Sequence, residues 1–202
     1  DWTLSFPWAV DALSNKEWVW IVDPLDGTTN YVYSLPLSVV SICVTHNEVP
    51  VIGVVYHPYL DEMYTAIKGH GSQLNGKPIH VRSDATLHES VVGYAMNYMA
   101  PIRHAMMRGV SAVGDYALSM RSVGSAALHL AWVAAGRLTA YWELGLHPVA
   151  EHCGFDVVGR VGGMSAHPGG GWPRWKHSWR GIQRARAGHN RHQWEDSRRD
   201  VA

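Results

Sequence analysis

The chain has 202 residues, 47% apolar and 17% charged, enough for one domain with a substantial core and too apolar for a disordered polypeptide. Its 17 Lys and Arg balance 17 Asp and Glu, so the net charge asks for neither nucleic acid nor an anionic membrane as partner; 8 basic and 12 acidic residues lie up to Pro148, and 9 and 5 follow. Cys43 and Cys153 form no C-x-x-C pair, no apolar run approaches the ~20 residues of a membrane span, and no basic-then-apolar leader opens the chain, which indicates a soluble protein of a reducing compartment, cytoplasmic or organellar.

In chain order, residues 17–23 (EWVWIVD) form a Trp, Val and Ile run that stops at Asp-Pro, the pattern of a buried strand ending in a turn. Residues 37–45 and 51–56 are β-branched runs joined by a polar stretch, which predicts an antiparallel hairpin. Strands at 62–67 and 79–81 extend this into a meander, with turn chemistry at His57-Pro58, Gly69-His70-Gly71 and 75–78 (NGKP). A further strand is expected at 90–95, then helical spacing over 101–120.

The helix at 124–135 is the clearest: apolar residues surround His129 alone, so it should be buried, with Gly136 as its stop. Residues 138–143 read as another strand. Hairpins followed by strands interleaved with helices give an α+β or layered α/β domain rather than a parallel doubly wound sheet. From Val149 the text changes: 54 residues hold no Leu and one Ile, but four Trp, eight Arg and five His, without helical or strand periodicity. Residues 149–202 therefore read as a divergent tail, solvated or disordered. Stacking of its Trp side chains on single-stranded nucleic acid is the weaker alternative, because no folded platform presents them.

The chemistry concentrates in residues 23–30 (DPLDGTTN). Two carboxylates three residues apart, with a Pro fixing φ between them and a Gly after them, can converge their oxygens on one side of a tight turn. Carboxylates and a carbonyl at the end of a buried strand suit Mg²⁺, which prefers oxygen ligands. The Thr hydroxyls and N–H groups after Gly27 would meet a phosphate if a helix starts there. The competing account is a plain Asp-Pro turn with Asx hydrogen bonds. A calcium loop fails on spacing, since Leu25 and Gly27 stand where acid or amide groups belong.

These motifs carry a resemblance. WIVDPLDGTTNYV, PVIGVVYHP, KGHGSQLNGKPI, RSVGSAAL and YWELGLHP, in this order from about Glu17 to Pro148, resemble the inositol monophosphatase family of Mg²⁺-dependent, lithium-sensitive phosphatases. The resemblance implies a layered α/β/α/β/α sandwich of the inositol monophosphatase and fructose-1,6-bisphosphatase type, incomplete at both ends here, and hydrolysis of a phosphate monoester by a metal-activated water. It implies Asp23, Asp26 and the Leu25 carbonyl as metal ligands, and Gly27 and Thr28 as phosphate-binding N–H groups. The Thr28 hydroxyl would orient the water, so that Asp26 and Thr28 are the catalytic pair. Gly124, Ser125 and Ala126 would border the substrate, and Glu143 would accept a hydrogen bond from a sugar or polyol hydroxyl. The metals would clamp attacking and leaving oxygens and lower the pKa of a bound water. A homodimer is implied by analogy.

Structural roles compete at several of these positions. Ser125 can serve as a helix N-cap, and Glu143 as a solvated strand-end charge. His129 reads as a hydrogen-bonded core residue, and His147, His152, His189 and His192 lack a metal-site frame. Trp18, Trp20, Trp132 and Trp142 read as core or edge packing.

The sequence also departs from the family pattern. The G-E-E segment expected before Asp23 has no counterpart in residues 1–10, which contain no Glu, and the helices that precede it in the family are absent, so residues 1–148 read as a phosphatase domain truncated at its N-terminus. The W-D-x-A-x-G motif expected after Pro148 is replaced by Val149-Ala150, with Glu151 one position away and later glycines at Gly154 and Gly162-Gly163. The sharp onset of this tail is what a frameshift near codon 149 produces. Fewer charged ligands should weaken Mg²⁺ binding and activity, and missing layers should expose apolar surface.

The expectation is thus hydrolysis of inositol monophosphate. Alternatives are a related ester (fructose bisphosphate, histidinol phosphate or a phosphoadenosine nucleotide) and a non-catalytic relic with weak anion affinity. The expected partner is a small phosphorylated polyol or sugar, with no nucleic acid and no membrane.

Overall fold

The computed structural model describes residues 17–47, 49–83, 86–96, 100–144 and 164–166, all within one unit, Asp1–His167. β1 (Trp18–Asp26) runs past Asp23-Pro24, with its register against β2 (Val39–His46) shifted between Asp23 and Asp26. The shift lets a strand containing Pro continue, because the ring cannot donate to a regular ladder. A short helix, α1 (Thr28–Val32), follows Gly27 at once.

β2 and β3 (Val49–His57) form the expected hairpin, and β4 (Glu62–Ile67) matches its expected bounds. β5 (Gly71–Leu74) and β6 (Lys77–Pro78) complete a six-stranded antiparallel sheet in sequential order. The strand expected at 79–81 is replaced by β6. Asn75 and Gly76, both at positive φ, form a two-residue hairpin turn that places the return strand earlier. Ile79 and Val81 instead pack onto the core.

The second sheet has the order β10-β9-β7-β8, built from β7 (Val91–Tyr94), β8 (Ser119–Arg121), β9 (Ala140–Leu144) and β10 (Met164–Ala166). Every pairing in it is parallel. The helices supply the crossovers that parallel pairing needs. α2 (Ala100–Gly114) joins β7 to β8, and α3 (Ala126–Ala134) joins β8 to β9. The helix expected over 101–120 therefore stops at Gly114, and Ser119–Arg121 belongs to β8, too short a strand to show a period. In the tail, the described residues are those of β10, a strand that periodicity does not reveal; the rest of 149–202 lies outside the described residues.

α3 explains the layering. Ala127, Leu128 and Ala131 pack on Val39, Val55, Tyr64 and Ala66 of the antiparallel sheet, while Leu130, Val133 and Ala134 pack with Leu138 and Tyr141 beside the parallel one. A helix apolar on every side is thus buried between two sheets, as its sequence requires. α2 covers the far face of the parallel sheet, where Gly109 lies against the Trp142 ring so closely that a Cβ has no room. The described residues therefore form four successive layers, β/α/β/α.

No element among the described residues packs on the outer face of the antiparallel sheet. Trp20 is 70% exposed, and Val22, Ile52, Met63 and Ile67 on the same face are also exposed. Trp18 is 57% exposed and stacks on His46 at 4.3 Å. These two tryptophans take the edge position that the sequence allows as an alternative to the core, and the strand expected to be buried over 17–23 is instead an edge strand with only Ile21 buried in it. None of the helices among the described residues is long and apolar enough to cross a membrane.

Candidate active site

The irregular end of β1 shapes the first half of the site. Asp23 Oδ1 accepts from the Leu25 N–H at 3.1 Å, and the Thr28 hydroxyl donates to the Leu25 carbonyl at 3.0 Å. Gly27 has φ +84°, and a Cβ there would stand 2.8 Å from the Leu37 carbonyl oxygen, so the turn accepts only glycine. Thr28 then opens α1.

The second half comes from the loop before α3. Asp26 Oδ2 accepts from the Ser125 hydroxyl and from the Ala127 N–H, both at 2.7 Å across about a hundred residues of sequence. Ser125 Oγ also accepts from the Leu128 N–H at 3.1 Å. Ser125 is therefore both the N-cap of α3 and a donor to Asp26; the structural role and the site role coexist. Gly124 sits at φ +72°, and Ala126 is the first residue of α3. Sequence reasoning named residues 124–126 and missed Ala127, whose backbone donor carries no side-chain signal.

Glu143 projects from β9 and accepts a short hydrogen bond from the Tyr141 hydroxyl. Tyr141 stacks on His129 with ring centroids 4.6 Å apart. His129 is fully buried. Its Nδ1 meets the Ser125 carbonyl at 2.7 Å and its Nε2 accepts from the Val123 N–H at 3.2 Å, which assigns the proton to Nδ1. It is the hydrogen-bonded core residue the sequence suggests. Asn30, quoted in the motif but given no role by it, spends both amide protons on the Leu37 and Val123 carbonyls, at 2.8 and 2.7 Å.

The electrostatics are those of negative charge with no counter-ion beside Asp26 among the described residues. Burial raises the Asp26 carboxyl above its ordinary value, and nearby Asp23 adds to the shift; the donors from Ser125 and Ala127 oppose it without cancelling it. Burial likewise raises Glu143, with a further push from Asp26. Burial lowers His129 to about 4, so it is neutral at pH 7.

These residues provide two carboxylates and a carbonyl for a cation. Among the described residues, no set of three His, Cys, Asp or Glu side chains converges. The Leu25 carbonyl already accepts from Thr28, yet an sp² oxygen has a second lone pair. Ser41, the register partner of Asp23, has a buried hydroxyl with no partner among the described residues. This hard-oxygen donor set fits Mg²⁺, which is commonly held by one or two carboxylates together with waters and substrate oxygens. Residues 1–10, His147, Val149, Ala150, Glu151, His152, Gly154, Gly162, Gly163, His189 and His192 lie outside the described residues.

The model of the inositol monophosphatase family matches residues 7–194. Inositol monophosphatase 1 of Solanum lycopersicum is 40% identical over 154 residues, covering 75% of this chain and 56% of the relative. Two solved structures superpose closely. One is the inositol monophosphatase of Anabaena (Nostoc), with 35% identity, TM-score 0.68 and coverage of 71% of this chain and 57% of that one. The other is the extragenic suppressor protein suhB of Bartonella henselae, with 34% identity, TM-score 0.69 and coverage of 71% and 56%. The chain thus spans little more than half the length of the relatives it matches.

Proposed function

The chain belongs to the inositol monophosphatase family, and from that premise we propose that it hydrolyses a small phosphate monoester, inositol monophosphate first among them. One observation carries the reading: Asp26 clasps Ser125 and Ala127, joining the DPLDGTTN turn and the start of α3 in one site. Asp23, Asp26 and the Leu25 carbonyl would hold Mg²⁺, which when bound polarises a phosphate oxygen and acidifies a water.

The chain's own groups divide the remaining work. Gly27 and Thr28 turn backbone N–H groups toward the phosphate. Thr28 gives its hydroxyl proton to the Leu25 carbonyl, so its oxygen lone pairs are left to accept from a water and orient it for in-line attack. The N-terminal end of α3, with Gly124, Ser125 and Ala126, borders the ester. Glu143, with one oxygen bonded to Tyr141, offers the other to a polyol hydroxyl. Lithium inhibition accompanies this assignment.

The experiment is phosphate release from inositol monophosphate with and without Mg²⁺, by this chain and by Asp26→Asn. The proposal expects metal-dependent release that the substitution removes. Equal rates in all four samples would leave a non-catalytic relative of the family.

A further inference from the structure

Asn30 stands where three segments meet. It lies in α1, two residues beyond Thr28, and only 7% of it is exposed. Its Nδ2 donates to Leu37 on one side and to Val123 on the other, and its backbone carbonyl accepts from the Leu35 N–H at 2.8 Å. The surrounding glycines are fitted to this junction. A Cβ on Gly124 would lie 3.0 Å from both the nitrogen and the oxygen of the Asn30 amide, and one on Gly27 would lie 2.8 Å from Leu37 O and 3.3 Å from Ser125 Cβ. The same Leu37 carbonyl therefore receives Asn30 and walls Gly27.

Two clasps close the junction, and they differ in kind. Asp26 binds the α3 loop through an oxygen of a carboxylate that also faces Asp23 and Glu143. Asn30 binds it through a neutral amide whose protons have no other employment. Among short side chains an amide alone supplies two N–H donors from one atom to two carbonyls; Asp would set oxygen against oxygen, and Ser would supply one donor.

We propose that Asn30 is a positioning residue that fixes the Gly27–Thr28 turn against the Gly124–Ser125–Ala126 loop, so that one anion is contacted by both at once. The inference rests on the phosphate-binding reading above and adds to it the residue that makes two loops a single site.

The test is a titration of the whole chain with inorganic phosphate in Mg²⁺ buffer, followed through the backbone amide resonances of Gly27, Thr28, Ser125 and Ala126. In the wild type all four should move along one saturation curve. In Asn30→Asp the two pairs should separate, with apparent affinity weakened by about tenfold as two hydrogen bonds are lost and a like charge is added beside the anion. Asn30→Ser, which keeps one donor and adds no charge, should fall between, and its separation of the two pairs reads the positioning role alone. Val133→Ala, a core cavity in α3 away from the loop, serves as a destabilised control and should keep the wild-type curve. A wild-type curve from a folded Asn30→Ser or Asn30→Asp protein, or an equal loss in Val133→Ala, overturns the positioning role alone. Silence of all four amides in the wild type overturns the phosphate-binding reading, and this inference with it.

Discussion

Asp26 and Glu62 are both carboxylates gripped by several donors, and their proton affinities move in opposite directions. Glu62 accepts from Arg137 at 2.5 and 2.8 Å and from the Tyr64 hydroxyl at 2.6 Å; the guanidinium holds its carboxyl below the ordinary value. Asp26 accepts from a hydroxyl and an N–H, both neutral, and burial with Asp23 nearby holds it above. At Asp26 neutral donors do not outweigh the cost of burial, whereas at Glu62 the bonds to a charged guanidinium do. Glu62 has its counter-charge in Arg137, whereas the described residues place none beside Asp26, in keeping with the cation site proposed there. The stability consequences have opposite sign. Glu62 contributes stability that is lost as pH falls below its ordinary 4.5, and metal-free Asp26 loses stability as pH rises from its ordinary 3.8 through its raised value.

The largest effect should come from Asp26→Asn, which keeps the shape and removes the charge: Mg²⁺-dependent phosphate release should drop to background. Persistence of release would break the contrast outright. His129 sharpens it from the cationic side, as a base buried among neutral partners. With its folded value near 4 against an ordinary 6.5, it adds nothing above pH 6.5. As pH falls from 6.5 toward 4 the unfolded chain binds the proton first, and stability drains by about 3 kcal/mol in all. Urea midpoints at pH 7 and 4.5, compared with His129→Gln, read this directly, and parallel pH curves for the two proteins would contradict it.

Added Mg²⁺ should come next. At about tenfold over its dissociation constant it should stabilise the wild type by about 1.4 kcal/mol and leave Asp26→Asn unmoved, as thermal melts would report. Arg137→Met should be smallest. Its side chain is 40% exposed, so solvent screening limits the loss to about 1 kcal/mol, and the magnesium-induced shift should be unchanged. Loss of that shift in Arg137→Met would mean the two regions are not independent.

The turn that carries Asp23, Asp26, Gly27 and Thr28 was legible in the sequence because a contiguous motif keeps its geometry locally, and α3 was legible because it is apolar on nearly every side; Glu143 was named by the family resemblance alone, since a lone strand-end carboxylate has no local signal. The sequence did not make legible the partners that close each group. Asp26 meets Ala127 through a backbone N–H, Asn30 meets Val123 through a carbonyl, and Glu62 meets Arg137 from 75 residues away. Such pairings depend on how two sheets enclose one helix, which no local pattern records. β8 was missed for a different reason: three residues are too few to display alternation. The exposed Trp20 shows the converse, since a β-branched and aromatic run has the same pattern whether or not something covers it.

Gly109 gives the site a remote handle. It sits on α2, behind the parallel sheet, with its backbone against the ring of Trp142, the residue immediately before Glu143. A methyl group added there must push either the helix outward or the indole inward, and the indole is tethered to the strand that carries the carboxylate. If Glu143 takes the role proposed for it, a single-carbon change on the back of the molecule would thus act as a lever on substrate recognition at the front, without touching Glu143 itself.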